Sequence, residues 1–220
     1  MNAIIKKELK SYFSSPIGYV YVGLILAMAG LFFYLSLLEM GSLNFEYLFA
    51  DLGFFSMFII PILTMRLFSE EKKLGTEQLL FTSPKSMFSI VSAKFISATI
   101  LLLITEFGIM LYYVILLFFG TPELITTIGV LLGYLFLGMA YISSGMFISA
   151  LTENQIIAAI MTLVFLVINL FMSEKFSVFA HFIKFTDGVV GINQLLFFIF
   201  YILLFFALTV LVLQKKKGAK

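Results

Sequence analysis

Six apolar runs, each close to the thickness of a bilayer, take up most of this chain. They lie near Ile17–Leu38, Leu48–Phe68, Phe88–Phe119, Ile128–Ala150, Ile156–Met172 and Ile192–Leu213. A helix needs about 20 apolar residues to cross a hydrocarbon core ~30 Å thick. In lipid every backbone amide and carbonyl must be paired inside the protein, which leaves helices or closed barrels. The alternating pattern of a barrel strand is absent, so the expected fold is an all-α membrane protein with six transmembrane helices in one domain spanning 1–220. The third run exceeds what a bilayer requires and should tilt, kink or project into water, whereas the fifth is short. Composition agrees: 62% of residues are hydrophobic, 12% are charged and the mean hydropathy is +1.12. A soluble domain averages about 45–50% apolar and about 25% charged.

Lysine and arginine set the expected orientation. Lys6, Lys7, Lys10, Arg66, Lys72, Lys73, Lys85, Lys94, Lys215, Lys216, Lys217 and Lys220 fall on one set of connections, and only Lys175 and Lys184 on the other. Positive residues stay on the cytoplasmic side. Both termini and the loops after the second and fourth spans are therefore expected in the cytoplasm, with the chain in a plasma membrane of the bacterial inner-membrane kind. The opposite loops carry Glu39, Glu46, Asp51, Glu123, Glu174 and Asp187. Lys6 to Lys10 resemble the start of a signal peptide, but the run that follows is too long for one and lacks a small-x-small site, so an uncleaved first helix is expected. A net charge of +2 gives no electrostatic support for nucleic-acid binding. The chain has no Cys and no Trp, so thiol chemistry is excluded and the interfacial aromatics must be Tyr and Phe.

No catalytic, cofactor or metal site is expected in the chain itself. G-x-x-x-x-G-K-[ST] and H-E-x-x-H are absent, and His181 is the single histidine. Ser143 and Ser144 lie in the fourth span, whereas His181 lies in an outer loop, so the serines read as small residues that let helices approach. A channel is poorly supported, because Glu106 with Asp51 and Lys94 near the two edges is too little to line a continuous aqueous path.

Four segments carry more information. In 1–15, Ile4, Ile5, Leu9, Tyr12 and Phe13 recur at helical spacing with Lys6, Lys7 and Lys10 on the other side. That is an interfacial amphipathic helix or simply a charged topology anchor. The connection after the second span, whose core is 69–87, reads RLFSEEKKLGTEQLLFTSP from Arg66 to Pro84. A helix ending near Lys73 or Leu74 with Gly75 as its left-handed cap is expected, then Thr76 capping a short helix that carries Leu79 and Leu80. It suits docking to a cytosolic partner, and equally a solvated charged face. In 173–191, Phe176, Phe179, Phe182 and Ile183 form one face and Ser177, His181 and Lys184 another, giving a helix lying at the outer interface or dipping into it. His181 reads as an interfacial hydrogen-bonding residue or as a substrate contact. Glu106 lies about 18 Å along the helix from Lys94 at 1.5 Å per residue, near mid-membrane. A carboxylate there costs about 2.5–3.5 kcal/mol, so it should face protein or water. It marks a transport path or dimer seam, or it hydrogen-bonds a neighbour through Thr105, Tyr112 or Asn169.

The string Pro61-Ile62-Leu63-Thr64-Met65-Arg66, with Glu70-Glu71-Lys72, Gly75-Thr76 and Thr82-Ser83-Pro84, resembles the permease subunits of ABC-2-type transporters. So do Lys6-Lys7-Glu8-Leu9-Lys10 and Ser14-Ser15-Pro16-Ile17-Gly18-Tyr19. The branch it most resembles contains the gliding-motility-associated permeases. The resemblance covers nearly the whole chain and is most specific over Met65–Pro84. It implies a connecting helix at the start, a coupling helix formed around Arg66, Glu70, Glu71, Lys72, Gly75 and Thr76, re-entrant helices before the last span, and dimerisation with a second or related permease. It also implies an ABC ATPase on a separate chain that carries the ATP and magnesium. The gliding branch tends to have an arginine where this chain has Asp187 before Gly188-Val189, which leaves the branch open. The expected function is a transport subunit, not an enzyme, exporting or flipping an amphipathic or lipid-linked substrate. The rival is a non-transporting scaffold whose same loop recruits a cytosolic partner.

Overall fold

The computed structural model describes residues 2–40, 45–78, 85–118, 124–186, 188 and 191–218. Among them the chain is helical and has no strand: α1 (Asn2–Ser14), α2 (Pro16–Met40), α3 (Phe45–Thr64), α4 (Arg66–Lys73), α5 (Met87–Leu116), α6 (Leu124–Leu151), α7 (Gln155–Leu170), α8 (Val178–Thr186) and α9 (Ile192–Gly218). Five stretches are long and apolar enough to cross a membrane: α2, α3 with α4, α5, α6 and α9. The expected fifth span is α7, an apolar helix of 16 residues. At 1.5 Å per residue it is about 24 Å long, short of the hydrocarbon thickness.

Local chemistry sets the breaks between helices. Pro16 opens α2, where its missing N–H is not needed, and the corner is tight enough that a Cβ on Gly18 would lie 2.5 Å from the Tyr12 carbonyl oxygen. Pro61 sits inside α3 and interrupts its hydrogen-bond ladder, and one turn later the helix breaks at Met65. Gly75 has φ +69° and ends α4 in the left-handed region, as expected. Ser86 caps α5 by accepting from the Ser89 amide at 3.2 Å. Asn154 caps α7 through the Ile156 amide at 2.9 Å. The short helix expected to carry Leu79 and Leu80 before Pro84 lies outside the described residues, as does Asp187.

α6 is the centre of the bundle, packed against α3, α4, α5, α7, α8 and α9. Small residues make this possible. A Cβ on Gly138 would overlap Leu102 of α5, and one on Gly145 would overlap Thr64 of α3. Ser143 and Ser144 are buried beside them and return their hydroxyls to the Ala140 and Tyr141 carbonyls of their own helix.

One end of the bundle collects the lysines. Lys216 near the end of α9 donates to the Ala150 carbonyl of α6 at 3.1 Å, Lys72 of α4 donates to the same carbonyl, and Lys7 of α1 lies 3.4 Å from Glu71 of α4. From this basic end α7 runs toward the opposite one. There Asn169 accepts from the Val178 amide at 2.9 Å and donates to the Phe176 carbonyl at 3.0 Å, holding the start of α8.

Candidate functional site at the basic end

At the break beside Met65, a side chain 84 residues away adds hydrogen bonds to the start of α4. The Ser149 hydroxyl of α6 accepts from the Phe68 and Ser69 amides, both at 3.1 Å, and lies 3.1 Å from the Met65 carbonyl. The Ser69 hydroxyl donates to that same carbonyl. One serine thus caps the start of α4 from outside, the task normally given to a residue at the helix's own N-cap. Lys72 secures the other end of α4. Its ammonium donates to the Ala150 carbonyl and, at 3.3 Å, to that of Thr152. Lys72 and Lys216 thereby meet at the Ala150 carbonyl in the last turn of α6, the end where the helix dipole favours positive charge.

The third tie is ionic. Lys94 of α5 is buried, with Nζ 2.9 Å from Glu8 Oε1 on α1 and 3.1 Å from Glu71 Oε1 on α4. It also lies 5.2 Å from the centre of the Phe68 ring. Lys7 adds a more exposed contact to Glu71. Two ammonium groups facing two carboxylates make a neutral cluster, the condition under which charges are tolerated away from water. Tyr12 is buried next to it, and burial first, then the Glu8 carboxylate, push its phenol above the usual range, so it adds no charge. Arg66 pairs with Glu70 at 2.7 Å within α4. The cluster borders a cleft of about 520 Å³ between α1, α4 and α5, whose walls include Ile4, Glu8, Arg66, Glu70 and Lys94.

The residues expected to dock a partner therefore divide. Glu71 and Lys72 are turned toward the bundle and tie α4 to α1, α5 and α6. Leu74, Gly75 and Thr76 are exposed, and the Thr76 hydroxyl reaches back to the Glu71 carbonyl at 3.3 Å. Leu74 is 67% exposed, an apolar residue presented at the tip. Glu8 and Ser149 were not legible as site residues. The one available signal was Lys94, a lysine in an apolar run that has to find an anion.

Glu106 is 6% exposed, and none of the three expected partners reaches it. Thr105 donates to the Leu101 and Leu102 carbonyls, Tyr112 to the Leu26 carbonyl at 3.2 Å, and Asn169 to the start of α8. Its Oε2 is buried and has no hydrogen-bond partner among the described residues. At the far end α8 is inserted, not laid on a surface. Val178, Phe182 and Phe185 are fully buried, Phe182 against Gly53 and Phe185 against Gly133. Phe179 packs edge-on to Phe54. His181 stacks flat on Phe197 with ring centres 3.7 Å apart, and its Nδ1 lies 2.9 Å from the Ser177 carbonyl. These contacts make His181 part of the packing of α8 on α9.

Among the described residues no group of three or more His, Cys, Asp or Glu could hold a metal ion. At the basic end α4 is fixed to α6 and α5 and offers an exposed tip. Comparison with protein-family models and with curated proteins gives no match for this chain.

Proposed function

We propose that the chain is the membrane-spanning subunit of an ATP-driven transporter that exports or flips an amphipathic or lipid-linked substrate, with ATP hydrolysis on a separate chain. In this reading the basic end faces the cytoplasm, α7 completes six crossings by drawing on flanking residues, and two such subunits pair. The observation that carries the reading is the triple anchorage of α4. A force applied at Leu74 and Gly75 enters a helix held to α6 by Ser149 and Lys72 and to α5 and α1 by Glu71. Such an element cannot be pushed without moving the spans. A loop that only joined two helices would need none of these ties. A rigid-body switch of the bundle, biased by a nucleotide-driven partner, follows from this arrangement. Apolar side chains outnumber polar and charged ones among the buried residues, which favours a greasy substrate over an ion.

The test is recovery of the tagged full chain from its native membrane, followed by reconstitution with what accompanies it. A stoichiometric ATPase whose hydrolysis rises when the permease is present supports the reading. The variant Leu74→Glu should release that ATPase while leaving the chain folded. Recovery of the intact chain with no ATPase, or with a partner that hydrolyses nothing, replaces transport with the scaffold reading.

A further inference from the structure

Glu106 lines a shallow groove of about 220 Å³ between α5 and α6. Every other lining residue is apolar, among them Leu103 and Phe107 from α5 and Leu131, Leu132 and Leu135 from α6. The groove opens outward: Phe107 beside the carboxyl is 79% exposed, and Leu103 and Leu132 are both 43% exposed. On a helix long and apolar enough to cross a bilayer, that outward face meets acyl chains, so a ligand must approach sideways through the lipid. Glu106 makes no ion pair among the described residues, and its Oε2 has no hydrogen-bond partner there. This contrasts with Glu8 and Glu71, whose charges are answered by Lys94.

We infer that the Glu106 groove binds a membrane-soluble amine, with the ammonium on the carboxyl and the alkyl body against the leucines. Two features choose this chemistry. The apolar walls and sideways opening demand a hydrophobic body. The carboxyl, left without a partner in a medium of low dielectric, holds its proton when alone and can pass it to an amine, forming an ion pair that a hydroxyl cannot form. The inference stands on the groove alone and does not require ATP-driven transport.

The absence of tryptophan gives a clean probe, since Leu132→Trp introduces the one indole of the chain at the rim of the groove. The full chain carrying it is reconstituted in phosphatidylcholine vesicles and titrated with a nitroxide-labelled alkylamine or with the alcohol of the same chain length. The amine is expected to quench saturably at about one tenth the membrane mole fraction the alcohol needs, the effect of one charge-assisted contact. With Glu106→Gln added, the two labels should quench alike. Leu103→Phe, which fills the groove and keeps the carboxyl, should raise the amine fraction needed. Equal quenching by amine and alcohol with Glu106 intact overturns the proposal, whether or not the Gln variant folds. So does an amine preference that survives Glu106→Gln, which would place the amine elsewhere. Emission that neither label quenches also overturns it, because it would show the groove covered by a second copy of the chain.

Discussion

The buried Lys94 ammonium lies 3.1 Å from the Glu71 carboxylate, joining α5 to the one short helix that carries the exposed tip. Removing one member of such a cluster leaves an opposite charge buried and unanswered, at a cost of about 3–5 kcal/mol. Lys94→Met alone should therefore lower folded yield and thermal stability in detergent sharply. Adding Glu8→Gln and Glu71→Gln should restore much of the loss, because the buried groups are then neutral and the remaining charge, Lys7, is largely exposed. A single change as mild as the triple one would mean that the cluster is already solvated.

Ser149→Ala should act on α4 without touching its sequence. It leaves the Phe68 and Ser69 amides without their acceptor, an effect of about 1–3 kcal/mol for buried groups. The expected signature is local: faster hydrogen exchange at the start of α4 with little change in α5 or α9. Exchange unchanged at these amides would show that helical carbonyls or water replace the serine.

Gly133→Ala tests how α8 is seated. The new methyl would sit 2.7 Å from Phe185 Cβ, inside any real contact, and neither backbone can move freely. Overpacking of this kind costs about 1–3 kcal/mol. A fall in melting temperature is expected for Gly133→Ala and none for Gly23→Ala, where a methyl group meets nothing within 4 Å. Equal melting temperatures would remove α8 from the packed core.

The five helices long enough to cross a membrane and the Gly75 cap were legible in the sequence because each is a local signal: a run of apolar residues, or a charged helix with glycine just beyond its end. The ties that make α4 rigid were not. Ser149 lies 84 positions from Met65, and a serine in an apolar helix most often bonds its own backbone, as Ser143 and Ser144 do. The same habit misdirected the reading of Glu106. Thr105 and Tyr112 stood close in sequence with hydroxyls to offer, but backbone carbonyls take both of them. Glu70 and Glu71 read alike as charges for a partner. Their helical angles differ by about 100°, which turns Glu71 inward to Lys94 and leaves Glu70 to Arg66.

Gly75 separates a mechanical role for α4 from a merely structural one. Its φ of +69° lies where a β-branched residue is strained, yet a Cβ there would meet nothing within 4 Å. The cost of substitution is thus in the backbone alone, about 1–2 kcal/mol, and it falls on the direction in which the chain leaves α4. Gly75→Asn, which tolerates the left-handed region, should behave like the wild type. Gly75→Val should insert and fold normally but present Leu74 and Thr76 wrongly. With an ATPase partner in reconstituted membranes, the Val variant should bind the partner weakly or lose stimulated hydrolysis, while the Asn variant keeps both. A Val variant that binds and stimulates hydrolysis as the wild type does would show that the tip geometry carries no force, and the ties to Ser149, Lys72 and Lys94 would then serve stability alone.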